Sequence, residues 1–261
     1  ADKVYGDVPF ALGATATSGL PVTYTVVSGP ATVSGGMLTI TGAGTATVRA
    51  TQAGDGNYAA ATSVEQSFTV NKATPVVTWA TPAATTYGAA LSATQLNATA
   101  SVPGSFSYSP AAGAVLNAGS QTLSVTFTPT EGGNYTNATK EIVLTVDPKP
   151  LTGSFTVADK VYDGTTVATV TGRSLGGVVG SDDVQLTGGT ATFDTTAKGA
   201  VKAVTLSGAS IGGAKASNYA LTAVNPTTAA ITARTVTVTG LTVAGRAYNG
   251  LRSVAVSGTA A

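Results

Sequence analysis

The chain contains no cysteine and no histidine, and has one methionine and one tryptophan in 261 residues. Without Cys and His, neither a Ser-His-Asp nor a Cys-His nucleophile arrangement can form, and the common zinc sites are also excluded. No disulfide framework is available. Charge is scarce: 10% of residues are charged, and 13 Lys+Arg against 12 Asp+Glu leave a net charge of +1. Such a balance offers no basic footprint for nucleic acid or an anionic membrane. No run reaches the roughly 18 consecutive apolar residues of a membrane span. Ala1-Asp2-Lys3 does not open a signal peptide, because no apolar core follows a basic end.

Val and Thr dominate what is there, a composition that fits half-buried strands. Two markers alternate along the chain. One is Tyr followed by Gly, or by a turn residue and Gly: Tyr5-Gly6, Tyr87-Gly88, Tyr162-Asp163-Gly164 and Tyr248-Asn249-Gly250, with the tyrosines 82, 75 and 86 residues apart. The other is Asn-Tyr, at Asn57-Tyr58, Asn134-Tyr135 and Asn218-Tyr219. Two markers in fixed order at a period of about 80 residues predict tandem domains. The expected units are 1–72, 73–148 and 149–233, followed by the opening of a fourth, incomplete unit over 234–261. The linkers are short, and the one at Asp147-Pro148-Lys149-Pro150 carries two prolines, which favours a stiff joint.

Each unit reads as all-β. Val22–Val26 and Leu123–Phe127 alternate, and Gly, Pro, Asn and Ser cut the strand-like runs about every 8–12 residues. The expectation is tandem immunoglobulin-like sandwiches arranged end to end. Closing strands are expected at Val64–Val70, Ile142–Val146 and Ala229–Ile231, and opening strands at Thr74–Ala80, Leu151–Val157 and Thr235–Val243. The first unit has only four residues before Tyr5, so its opening strand has no counterpart in the sequence. Either the chain is a window of a longer array, or its surplus C-terminal strand fills the first unit of another copy.

The markers read as folding devices. Gly6, Gly88, Gly164 and Gly250 supply the backbone freedom of a tight turn, and the preceding Tyr is expected to plug the adjacent end of the core. The Asn-Tyr tyrosines are expected to bury their rings and tie their hydroxyls to nearby backbone, as in a tyrosine corner. Trp79 shares a strand face with Val77 and is expected in the core rather than on a sugar-stacking surface. Asp182-Asp183, the only adjacent acids, read as a polar turn. Asp55 near Asn57 could lend oxygen to calcium, but its place is taken by Lys215 in the third unit. A Lys-Asn isopeptide staple needs a buried acid that sequence does not reveal. No catalytic, cofactor or metal residue is assigned, and the chain is read as a non-enzyme.

Over KVYDGTTVATVTG (160–172), SDDVQLTG (181–188) and KASNYALT (215–222) the third unit resembles the YDG domain of bacterial surface proteins. The first two units, with KVYGDVPFAL (3–12) and AGDGNYAAATSVEQSFTV (53–70), are similar to bacterial immunoglobulin-like and MBG-type repeats. The resemblance implies large exported haemagglutinin-like adhesins, and hence an extracellular or cell-surface setting. It also implies a β-grasp topology as the alternative for the YDG unit. The function implied is a stiff stalk of a surface adhesin or fibre. Alternatives are a carbohydrate- or receptor-binding module, or a strand-donating fibre subunit. Its partners would be further repeats, identical copies or glycans.

Overall fold

The computed structural model describes residues 2–243, 245, 250 and 256–260. The architecture is all-β. The one helical element among the described residues is a three-residue 3-10 turn at Ala216–Asn218. The chain divides into two compact units, Ala1–Asp147 and Pro148–Ala261.

In the first unit, residues up to Asn71 form two sheets. One has the order Lys3–Val4, Val64–Asn71, Gly44–Thr51, Thr23–Ser28; the other has Phe10–Ala11, Met37–Ile40, Ala31–Ser34. Their facing side chains, Leu38, Ala46 and Val48 with Phe10, Tyr24, Val26 and Phe68 around them, make one core. Gly104–Ser109, Gly119–Pro129, Ala138–Asp147 and Thr85–Thr86 form a four-stranded sheet, with a two-stranded pair, Thr99–Ala100 and Val77–Thr78, beside it. Alternation does the sorting here. Leu123, Val125 and Phe127 are buried, while Thr126 and Thr128 between and beyond them face solvent.

The opening strand expected over 74–80 is reduced to Val77–Thr78, pairing Thr78 with Thr99 and Val77 with Ala100. Pro75 has no amide to extend the ladder, and the Val76 amide donates instead to the Ser101 hydroxyl (3.0 Å).

In the second unit, Lys149–Val157 runs antiparallel to Val170–Gly176 and parallel to Tyr219–Val224. A five-stranded sheet has the order Lys160–Val161, Thr227–Thr232, Gly199–Gly212, Gln185–Phe193, Val167–Ala168. Phe155 from the first sheet packs with Leu186, Phe193, Val204 and Ile231 of the second in one core. Val238–Val243 pairs with Val256–Ala260 as a separate ribbon.

Candidate functional site

With no clustered reactive side chains in the sequence, the feature that recurs with the same geometry is a backbone clip. The two residues before each of the first three Tyr-Gly markers pair in parallel with the last residues of that segment's closing strand. Lys3–Val4 pairs with Val70 and Asn71, Thr85–Thr86 with Val146 and Asp147, and Lys160–Val161 with Ile231 and Thr232. The tyrosine amide then adds one more bond. Tyr5 donates to the Asn71 carbonyl, Tyr87 to that of Asp147 and Tyr162 to that of Thr232, each at 2.9 Å.

The turn that follows explains the glycine. In the first two copies the residue after Gly closes the turn: Asp7 N–H donates to the Val4 carbonyl (3.0 Å) and Ala89 N–H to that of Thr86 (3.1 Å). Gly6 and Gly88 sit at the third position with φ of 93° and 94°, which a side chain strains. In the third copy Asp163 is interposed, and its carboxylate accepts the amide and hydroxyl of Thr165, each at 2.9 Å. Gly164 and Gly250 also have positive φ, while Tyr248 and Asn249 lie outside the described residues.

The rings do not share one role. Tyr87 is buried and Tyr5 half-buried, but Tyr162 is 43% exposed, so the core-plugging expectation fails for it. Lys160, two residues before it, has a side chain that is largely buried. Its ammonium binds Asp163 (2.8 Å) and the Thr165 and Val167 carbonyls (each 2.9 Å), and lies 5.8 Å from the Phe193 ring centroid. The Lys160 hydrogen bond, seconded by the Thr165 amide, lowers the Asp163 pKa from 3.8 to about 2.

The Asn-Tyr pairs differ in the same way. Tyr219 is buried; its hydroxyl accepts the Val179 amide (2.9 Å) and donates to Asp182 (2.6 Å). Burial first, and then the Asp182 hydrogen bond, raise its pKa. Asn218 is buried beside it. Tyr135 instead meets Tyr5 edge-on, at 5.3 Å between centroids. Tyr58 is 52% exposed, so the corner expectation fails there. The cause is the neighbouring strand. Tyr135 bridges Ala73 and Tyr219 bridges Lys149, both in parallel, whereas no described strand runs beside Tyr58. Asn57 begins the same exposed turn, its amide donating to Asp55 (2.8 Å).

Asn134 does something that sequence spacing did not signal. Its side-chain oxygen accepts the Ala43 amide (2.9 Å), while its backbone carbonyl accepts that of Ala73 (3.0 Å). Lys72 adds a bond from its ammonium to the Gly132 carbonyl (2.6 Å). The short stretch between the closing strand at Asn71 and the next segment is thereby held by hydrogen bonds, and the residues on either side of it lie in one compact unit.

Trp79 is 5% exposed. Its indole N–H donates to the Gln95 carbonyl (2.9 Å), and its ring packs against Tyr108. Asp182 and Asp183 turn to different partners, Asp182 to Tyr219 and Asp183 to the Ala214 amide (3.0 Å). Asp55 accepts the Asn57 and Tyr58 amides (2.8 and 2.9 Å), which commits its oxygen to the turn.

Two outcomes test this geometry. Replacing Asn134→Ala leaves the part-buried Ala43 amide unpaired, a loss of about 1–3 kcal/mol. Trypsin is then expected to cut after Lys72 about tenfold faster or more. Asp163→Asn probes the clip network by pH. The depressed folded pKa makes Asp163 stabilising above 3.8, with the contribution lost as pH falls towards about 2. Acid titration of the Asn variant, followed by tryptophan-independent circular dichroism, is expected to show a shallower loss of stability across that window.

Among known proteins, no curated protein matches the chain. The YDG domain model matches residues 147–230, which span the Tyr162 clip and the Asn218-Tyr219 pair, so this stretch of the chain is a YDG-type domain.

Proposed function

We propose that the chain is a load-bearing spacer: three copies of one immunoglobulin-like β-unit, and part of a fourth, in the stalk of a bacterial cell-surface adhesin or extracellular fibre. The observation that carries this reading is the clip formed at Tyr5, Tyr87 and Tyr162. Its strands run the same way. Pulling the ends of a segment apart draws them past one another, so the bonds carry load together instead of opening in turn. The fixed stretch at Lys72-Ala73 serves the same purpose, since a stalk gains reach only if its joints resist bending. The YDG match and the resemblance of the first two segments to MBG-type repeats support an exported, cell-surface setting. The role is non-catalytic, with neighbouring repeats as the main partners. Buried Trp79 favours this reading over glycan binding, because its ring has no open face.

Single-molecule pulling tests the reading. Tyr162→Pro removes the amide donor while altering an exposed ring, and Tyr162→Phe keeps the donor. The Pro variant is expected to unfold the second unit at clearly lower force and the Phe variant at the original force. Equal forces for all three proteins would remove the basis of the load-bearing role.

A further inference from the structure

The tripeptide Asn-Ala-Thr occurs at 97–99 and again at 137–139. Both copies take the same posture. Ala98 and Ala138 are each 8% exposed, while Asn97, Thr99, Asn137 and Thr139 are exposed. Each copy leads into a strand, Thr99–Ala100 or Ala138–Asp147, where side chains two residues apart face the same way. With the alanine turned inward, the asparagine amide and the threonine hydroxyl are presented together to solvent. The bonds made at the first copy are long: Asn97 Nδ2 donates to the Thr94 carbonyl at 3.2 Å and the Thr99 hydroxyl to that of Thr78 at 3.4 Å.

Two further Asn-X-Thr triplets lack that posture. In Asn134-Tyr135-Thr136 the asparagine is half-buried and its side-chain oxygen accepts the Ala43 amide. A Cβ placed on Gly42 would lie 3.1 Å from that oxygen, so the backbone at 42–43 covers this side of Asn134. In Asn225-Pro226-Thr227 the middle residue is proline, whose ring fixes the backbone between amide and hydroxyl.

We propose that Asn97 and Asn137 are acceptors of an N-linked sugar. In the transfer, Nδ2 bonds to the anomeric carbon of a sugar carried on a diphosphate. The bond from that carbon to the phosphate oxygen breaks, and the diphosphate carrier leaves with the electron pair. The amide proton passes to a base of the glycosyltransferase. A nucleotide-linked sugar and a lipid-linked oligosaccharide share this donor chemistry. The hydroxyl two residues after the amide completes the acceptor, and an exposed position accommodates the bulky, hydrated product. Asn137 directly precedes the strand Ala138–Asp147, whose far end at Val146 and Asp147 holds the dipeptide before Tyr87. A sugar on Asn137 therefore leaves that clip untouched.

Peptide mass spectrometry with electron-transfer fragmentation, on the protein isolated from its own cells, tests this. Asn97 and Asn137 are expected to carry a sugar and Asn134 none. The mass of one sugar marks the nucleotide-linked donor, and that of a preassembled oligosaccharide marks the lipid-linked one. Thr139→Ala, made in the same cells, is expected to lose the sugar on Asn137 and keep the one on Asn97. Thr139→Ser is expected to restore it. A bare side chain at one site overturns that site, and bare side chains at both overturn the proposal. So does a sugar on Asn134 at equal occupancy, or one on Asn137 that persists in Thr139→Ala. Such a failure leaves the load-bearing reading intact, because that one is read from unfolding force.

Discussion

The way each segment holds its own exit is the constraint on which the rest depends. A closing strand such as Val64–Asn71 or Ala138–Asp147 is paired along its length with an antiparallel neighbour, but its last residues reach the segment boundary, where pairing tends to fray. The clip pairs those last residues on the other side, in parallel, with the dipeptide before Tyr5, Tyr87 or Tyr162. The turn at Gly then takes the chain away from the boundary at once. Backbone hydrogen bonds supply this hold, so side chains around it are free to vary. That freedom is visible in Tyr87, Tyr5 and Tyr162, which range from buried to exposed while their amides make the same bond.

A second constraint follows from the first. An opening strand must lie between the stretch after the clip and the Asn-Tyr stretch, since each leaves an edge towards the other. Where that strand is present, the aromatic on it is buried, as with Trp79 and Phe155. Beside Tyr58 it is not among the described residues, and the same Asn-Tyr letters leave a tyrosine in solvent. One motif thus has three outcomes. Tyr219 is buried and hydrogen-bonded, Tyr135 packs against Tyr5, and Tyr58 is exposed. The neighbouring strand decides between them, not the motif.

This also explains what was legible in the sequence. The β class and the position of closing strands are written in alternation, as in Leu123–Phe127, because a period of two sorts inside from outside locally. The glycines after each tyrosine could be read because only glycine tolerates their φ without strain. The ring role expected of the marker tyrosines holds for buried Tyr87 and fails for exposed Tyr162, while the amide bond that Tyr5, Tyr87 and Tyr162 share leaves no mark on residue identity. The Asn134 bond to Ala43 joins residues 91 apart in sequence, and nothing local announces it. Asp182 and Asp183 look alike as letters, yet one meets the Tyr219 hydroxyl and the other the Ala214 amide, a split set by loop geometry.

Native-state hydrogen exchange at the three tyrosine amides measures the clip directly. The account predicts that Tyr5, Tyr87 and Tyr162 exchange as slowly as the amides of the closing strands they hold. Exchange as fast as that of the solvent-facing amides in the turns at Gly6, Gly88 and Gly164 would contradict it.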